Sequence, residues 1–446
     1  MGSVLVLGAG RMAGPLVCYL LEQSGVQVKV ASLLASDAEK VVGGHARGQA
    51  EALDVTDTRA LRAVVSDTAV DVVVGFVPPA CLADVAKTCI EAEKPLVTAA
   101  YADDELKALD EAAKTKGILI LTEMGLDPGI DHMSAIRSIH KIQREGGKVV
   151  SFYSVCGAIP AMESSLNPFG YKFAWEPRGA LNAAKRSARY LMEGQEVDVP
   201  TGRLFEHYTL KHVEGLGYFE NYPNKDSLPY MEIFGIPTAR TMYRGTLRYI
   251  GWGETLKKLI EIGMLDEKER NDLGQLSYRE LLCELTGLSD DENLKENLAG
   301  HLRIDKDSAV MKRLEWFDLL SNSPLPLEEG SPFDVLLEKM LEKLGYEDGE
   351  RDMIILQDEI VAEYPKRKQK ERFTETLIAY GTPGGDTALA KTVGVPAGIA
   401  TKLILQGRIN LTGVHIPVAP AIYEPVLEEL EKEGIVFAEK VVKLET

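Results

Sequence analysis

Short apolar runs alternating with helically spaced segments organise the first third of the chain. Val4-Leu5-Val6-Leu7 leads through Gly8-Ala9-Gly10-Arg11-Met12-Ala13 into the apolar segment Leu16-Val17-Cys18-Tyr19-Leu20-Leu21. That pattern predicts strand, tight turn and helix. Val26–Ala31 alternates and predicts a second strand, and Ala52-Leu53-Asp54-Val55 a short third. Asp71–Pro78 reads as a buried fourth strand ending in Pro78-Pro79, with two more over Pro95–Tyr101 and Gly117–Glu123. Strands separated by helical patterns predict a Rossmann-type α/β fold with a doubly wound parallel sheet.

Beyond that region the pattern changes. Met133, Ile136, Ile139 and Ile142 mark a helix, and Lys148–Gly157 alternates like a strand that opens a second, mixed α/β domain. From about 251 to 343 apolar residues recur three or four apart, as in Leu256, Leu259 and Ile260 or Leu314, Phe317 and Leu320, which predicts a small all-helical domain. Asp290-Asp291-Glu292 reads as a helix start. Asp352–Gln357 and Thr374–Tyr380 read as strands rejoining the second domain, and Thr387–Gly394 as a helix returning to the first. The expected boundaries are 1–130 with 386–446, then 131–250 with 344–385, and 251–343.

Composition narrows the possible chemistry. The 446 residues are 45% hydrophobic and 26% charged, with a formal net charge of −18. Such an acidic balance argues against nucleic acid as a partner. The five cysteines are dispersed with no Cys-x-x-Cys, which suits reduced thiols in a cytoplasmic compartment. The histidines lack metal-ligand spacing, so no metal is expected. No run reads as long enough to span a bilayer and no signal peptide is recognised, so no membrane partner is expected.

The first turn carries the plainest chemistry. In Gly-x-Gly-x-x-Ala, Gly8 permits the turn, Gly10 admits a pyrophosphate close to the backbone, and Ala13 lets helix and strand pack closely. The helix N-terminus then attracts phosphate. The usual cofactor rule finds neither an acid nor an Arg at the end of the second strand, Ala31-Ser32-Leu33. Asp54 reads equally as an adenosine contact and as a helix cap. In Gly125-Leu126-Asp127-Pro128-Gly129-Ile130-Asp131-His132, Asp131 reads as the N-cap, and Asp127 falls on the sheet edge where ligands sit. His132 reads as structural. Loops bearing Lys172, Lys225, Arg244 and Arg248 among Tyr and Asn are the kind that hold carboxylates.

Together these segments resemble the L-glutamate-forming saccharopine dehydrogenases. The likeness rests on Leu7-Gly8-Ala9-Gly10-Arg11, Gly125–His132, Cys156-Gly157, Asn167-Pro168 with Tyr171-Lys172-Phe173, Tyr222-Pro223-Asn224, Arg244–Tyr249 and Ala390–Gly394, in order over essentially the whole chain. The resemblance implies substrate contacts at Ala100, Tyr101, Asp127, Thr246, Leu247, Arg248 and Tyr249, and at Lys225 where the family has Arg. Lys172 and Arg244 join them as further candidate clamps on carboxylates. Ala100 and Ala174 stand where the family usually has Ser. Candidate cofactor contacts are Gly8, Ala9, Gly10, Arg11, Met12, Ala31, Ser32, Leu33, Asp54, Val55, Val77, Pro78, Thr98, Ala99, Leu126, Pro128 and Ala174. The region after the second strand lacks the Arg of NADP-using members, so NAD is expected, with NADP open.

The implied reaction converts saccharopine, a nicotinamide dinucleotide and water to L-glutamate and α-aminoadipate semialdehyde. Hydride leaves the carbon next to the secondary amine, and the imine is hydrolysed. Candidates for proton transfer are Asp127, Tyr101 and Cys156, with the substrate's own amine as an alternative. Two other readings are a catalytically silent nucleotide-binding relative and an oxidoreductase acting on carboxylated polyamines. A homodimer and a functional link to a lysine-ketoglutarate reductase are also expected.

Overall fold

The computed structural model describes residues 2–445. Strands β1 (Gly2–Leu7), β2 (Val26–Ser32), β3 (Gly48–Ala52), β4 (Val72–Gly75), β5 (Leu96–Val97) and β6 (Leu119–Leu121) alternate with helices. After the helix Ile130–Arg144 come β7 (Lys148–Pro160), β8 (Ala188–Met192), β9 (Gln195–Val199), β10 (Thr209–Val213), β11 (Gly217–Pro223) and β12 (Thr241–Arg248). Helices fill the segment from Trp252 to Lys343, followed by β13 (Asp352–Tyr364) and β14 (Gln369–Tyr380). The helix Ala388–Leu405, β15 (Gly413–His415), the helix Pro420–Lys432 and β16 (Ala438–Leu444) end the described chain.

The chain divides into two compact units. The first holds residues 1–152, 232–238 and 356–446, and the second holds 153–231 and 239–355. The expected domains are drawn differently. The helix Ile130–Arg144 belongs to the first unit because its polar face is tied there: His140 Nδ1 lies 2.8 Å from Tyr423 Oη, and Ser134 Oγ donates to Asp358 at 2.8 Å. The segment 251–343 is helical as expected but belongs to the second unit. Phe169 meets Trp252 at 5.1 Å and Phe317 at 5.0 Å, and Arg313 Nε donates to Pro168 O at 2.8 Å. Aromatic burial of this size binds a small helical array to its neighbours.

In the first unit a seven-stranded sheet has the order β15-β6-β5-β4-β1-β2-β3. All six of its strand pairs are parallel. The order reverses between β1 and β4, the switch point where doubly wound sheets bind ligands. Val4, Leu5, Val6 and Leu7 are fully buried, as a central parallel strand requires. The third strand is Gly48–Ala52 rather than Ala52–Val55, which places Asp54 in the following turn. There its carboxylate accepts from Thr56 N and Thr56 Oγ1, while Asp57 caps the helix Thr58–Val65. In the same unit β14 pairs antiparallel with β16.

The helix Ala388–Leu405 does return to the first sheet. A Cβ on Gly394 would lie 2.7 Å from Met12 O, and one on Gly398 would lie 2.9 Å from the Tyr19 ring. Those two glycines let it pack tightly on Ala13–Glu22. It is also long and apolar enough to cross a membrane by length and composition, contrary to the expectation that no run is; here it is mostly buried in the core.

The second unit is antiparallel. β10, β11, β12 and β7 follow in order, with β8 on β12 and β9 on β8.

Candidate active site

The turn after β1 has the geometry its glycines predict. Gly8 adopts φ +101°, and a Cβ there would fall 2.2 Å from Phe76 O. Gly8 N donates to Ala31 O at 2.8 Å, so the turn also locks β1 to β2. The helix Ala13–Glu22 has no side-chain cap and no acid in its first turn. Its positive end is therefore not neutralised from within, which suits a phosphate.

A cleft of about 210 Å³ opens at this point. Of the predicted cofactor residues, Gly10, Arg11, Met12, Val77, Thr98 and Ala99 line it, together with Ala100. Gly75, Phe76, Ala13 and Val393 complete the wall. Phe76 and Val393 were missed as contacts, although Val393 lies inside the quoted Ala390–Gly394 motif. Thr98 Oγ1 donates to Gly75 O at 2.8 Å and fixes the end of β5 against β4. Gly8 and Ala9 form the turn beneath. Ala31 and Ser32 end β2, Leu33 is 69% exposed beyond it, and Asp54 and Val55 follow β3. None of these last five lines the cleft. Pro78 precedes the helix Pro79–Ala92.

Asp127 and Tyr101 meet: Tyr101 Oη donates to Asp127 Oδ1 at 3.1 Å. Asp127 sits in a tight loop in which Gly125 N donates to Pro128 O at 3.0 Å. Leu126 and Pro128 are buried, and Asp127 between them is partly exposed. Gly129, at φ +144°, is the N-cap of the following helix; Asp131 is not. Asp131 instead lies in the first turn and accepts from Gly129 N at 2.6 Å. His132 is fully buried, with Nε2 2.8 Å from Glu123 Oε2.

In the second unit the predicted carboxylate clamps differ from one another. Lys172 is spent: its ammonium reaches Glu350 at 2.5 Å and Gly345 O at 3.0 Å, and the residue is 5% exposed. That carboxylate already neutralises the buried ammonium, so Lys172 is corrected from a substrate clamp to a structural residue.

Arg248 is the opposite case. It is 7% exposed, lies over the rings of Tyr171 at 5.2 Å and Trp252 at 5.8 Å, and Nη1 donates to Leu247 O at 2.7 Å. Its Nε has no partner among the described residues. Burial pushes the Tyr171 and Tyr222 hydroxyls up, so neither supplies a counter-charge near neutral pH. Glu220 faces Arg248 in register, but its carboxylate accepts from Gly251 N at 2.7 Å and Gly253 N at 2.8 Å.

The remaining candidates lie on or beside β12, and Arg244 and Arg248 are strand residues there, not the loop residues expected. Arg244 is buried and stacks on Tyr230 at 4.3 Å. Thr246 and Leu247 pair with Tyr222 and Asn221. Leu247 also packs on Gly157, where a Cβ would lie 2.9 Å from it. Cys156, next to that glycine, is partly exposed. Tyr249 Oη donates to Pro160 O at 3.0 Å. Lys225 adopts φ +56°, and its carbonyl accepts from Arg189 N at 3.0 Å. Ala174 is buried.

A parallel sheet of this order, with an uncapped helix over a glycine turn at its switch point, defines a dinucleotide-binding protein of Rossmann type. Comparison with known proteins makes the class specific. Residues 4–121 match the saccharopine dehydrogenase NADP binding domain, and residues 125–435 match the saccharopine dehydrogenase C-terminal domain. The chain belongs to the saccharopine dehydrogenase family.

It is 37% identical to the Schizosaccharomyces pombe saccharopine dehydrogenase [NADP(+), L-glutamate-forming], over 99% of both chains. It is also 37% identical to the alpha-aminoadipic semialdehyde synthase of Arabidopsis thaliana, covering 98% of this chain and 45% of that one. Among solved structures, the apo histidine-tagged saccharopine dehydrogenase (L-Glu forming) of Saccharomyces cerevisiae aligns with TM-score 0.91 and 35% identity, over 99% of this chain and all of that one.

Proposed function

We propose that this protein oxidises saccharopine to L-glutamate and α-aminoadipate semialdehyde with NADP. The observation that carries the substrate class is Arg248, a buried guanidinium with no carboxylate partner among the described residues. An uncompensated buried charge is costly, and a substrate carboxylate would relieve that cost. Within the second unit Arg244, Lys225, Thr246, Leu247 and Tyr249 are proposed as further substrate contacts; Ala100, Tyr101 and Asp127 are proposed as substrate contacts of the first unit.

The cofactor preference departs from the NAD expected at the end of β2. Support for NADP comes from the matched binding domain and from the names of the fungal relatives. The residues around the cleft suit a dinucleotide: the Gly8–Ala13 turn and uncapped helix would hold the pyrophosphate, and Val77, Thr98, Ala99 and Ala100 the nicotinamide half. When bound, the oxidised nicotinamide supplies a hydride acceptor.

The chain's own residues bind and orient. Asp127, held by the Tyr101 hydroxyl, is proposed to receive a substrate ammonium, since an ionised carboxylate pairs with a cation. Cys156 and Tyr101 remain the candidates for passing a proton to or from the hydrolytic water.

The test mixes purified protein with saccharopine and, separately, NADP and NAD, and follows the near-ultraviolet absorbance of the reduced nicotinamide. The expected result is a rise with NADP and a smaller one with NAD. No rise with either, while both dinucleotides bind, would overturn the substrate assignment and favour a silent relative or a carboxylated polyamine.

A further inference from the structure

Behind Tyr101 and Asp127 lies a buried chain of ionisable groups to which the proposed reaction assigns no role. We propose that His132 is a positioning residue that holds Tyr101 and Asp127 in register through the carboxylates of Glu123 and Asp131. Each carboxylate divides its work. Glu123 Oε1 accepts from Ala102 N at 3.0 Å, and Glu123 Oε2 lies 2.8 Å from His132 Nε2. Asp131 Oδ1 accepts from Gly129 N at 2.6 Å, and Asp131 Oδ2 lies 3.1 Å from His132 Nδ1. Ala102 is the residue after Tyr101, and Gly129 is two after Asp127. The Tyr101–Asp127 contact of 3.1 Å joins the far ends, so the whole forms a closed ring.

The ring is stiff for identifiable reasons. Glu123, His132 and Asp131 are 5%, 0% and 3% exposed, so no water competes for their polar atoms. Glu123 adopts φ +60°, uncommon for a side chain of its size, with Glu123 N donating to Ala100 O at 3.0 Å. The edge of Phe234 packs against the imidazole, centroids 5.8 Å apart at 70°, and resists rotation of the ring. Both imidazole nitrogens face carboxylate oxygens, so His132 is the one member that spans from the Tyr101 side to the Asp127 side. Without it, the two carboxylates face each other with no donor between them.

The kinetic part of this proposal rests on the saccharopine reading; the structural part does not, and the test separates them. His132→Phe keeps a ring and removes both nitrogens. Hydrogen exchange in this variant is expected to quicken at least about tenfold at the amides of Ala102 and Gly129, while β1 amides keep their protection. Unchanged protection at both amides would overturn the clamp, whatever substrate the enzyme uses.

With saccharopine, kcat is expected to fall at least about tenfold, since small misplacements of reacting groups are expensive, with the dinucleotide Kd within about twofold of wild type. In an Asp127→Asn background the same substitution is expected to change kcat less than about twofold, because the group it positions is already altered. Equal losses in both backgrounds, or a lowered Tm with wild-type kcat, would count against positioning. Should Phe prevent folding, His132→Asn and Glu123→Gln keep part of the hydrogen bonding, and their exchange and kcat changes are expected to be smaller in parallel. A wild-type protein that binds dinucleotide yet leaves saccharopine untouched refutes the functional reading alone, and the exchange measurement still decides the clamp.

Discussion

Two glycine turns in the first unit follow parallel strands and open helices, yet they have opposite fates. After β1 the turn is held by backbone alone, Gly8 N to Ala31 O and Ala13 N to Gly10 O, and the helix it opens has neither cap nor acid. After β6 the Gly125–Gly129 loop is closed by the protein's own carboxylate, since Asp131 in the first helical turn accepts from Gly129 N. One helix N-terminus is left for an external anion, and the other is used up internally. The second unit repeats the contrast with cations: Arg248 has no carboxylate partner among the described residues, and Lys172 already holds Glu350. What distinguishes a binding group from a structural one is whether the fold has satisfied it.

The largest expected effects come from filling the two turns. In Gly8→Ala the new Cβ would meet Phe76 O at 2.2 Å with φ at +101°, so the turn must open. Dinucleotide affinity is expected to fall about a hundredfold, or ~3 kcal/mol, by fluorescence titration of the reduced cofactor. In Gly129→Ala the Cβ would meet Gly125 O at 2.1 Å, which displaces the Asp127 loop instead. There kcat with saccharopine is expected to fall about a hundredfold while dinucleotide affinity falls less than about tenfold. Equal losses of dinucleotide affinity in both variants would erase the distinction between the open and the closed turn.

The cation pair comes next. Arg248→Met is expected to raise the KM for saccharopine about fiftyfold, the loss of a charge-assisted contact worth about 2–3 kcal/mol, and to leave Tm unchanged or higher. Lys172→Met breaks a satisfied pair and strands Glu350. It is expected to destabilise the fold by about 3 kcal/mol in urea denaturation, with KM within about threefold. A swap of these two outcomes would show that burial without a partner is no guide to substrate binding here.

Satisfaction is also where sequence reading reaches its limit. The β1 turn was legible because its chemistry is local: Gly8 and Gly10 announce a backbone requirement wherever they sit between strand and helix. The start of the helix Ala388–Leu405 was legible over Thr387–Gly394, but its length and the packing role of Gly394 and Gly398 depend on the distant Ala13–Glu22 helix and were not. Lys172 was misread because its partner Glu350 is distant in sequence, and nothing in Tyr171-Lys172-Phe173 reveals it. Asp131 was read as a cap on residue type, but Gly129 takes that position at a φ of +144°. The third strand was displaced because Gly48–Ala52 is a partly exposed edge with no apolar alternation, whereas neighbouring Leu53 and Val55 have the apolar character of a strand. Edge strands β9 and β10, largely exposed, passed unrecognised for the same lack of pattern.

Glu375 falls between the two classes and offers the mildest test. It is 4% exposed on β14, one carboxylate oxygen accepts from Ser138 Oγ, and the other has no partner among the described residues. Burial pushes its carboxyl up to about 7 from an ordinary 4.5; Ser138, Arg137 and Lys141 oppose the rise and Glu439 adds to it. A folded-state value above the unfolded one means that the native state keeps the proton longer. The neutral carboxyl's stabilising share is therefore complete below about pH 4.5 and lost as pH climbs through about 7, at most about 3 kcal/mol in all. Glu375→Gln keeps the shape and cannot ionise. The difference in unfolding free energy between the variant and wild type is thus expected to grow between pH 5 and pH 8 in favour of the variant. Because every other titrating group is common to both proteins, that difference isolates this carboxyl. A constant difference across the range would mean that Glu375 is as fully satisfied as Lys172, and that the free oxygen finds its partner in solution.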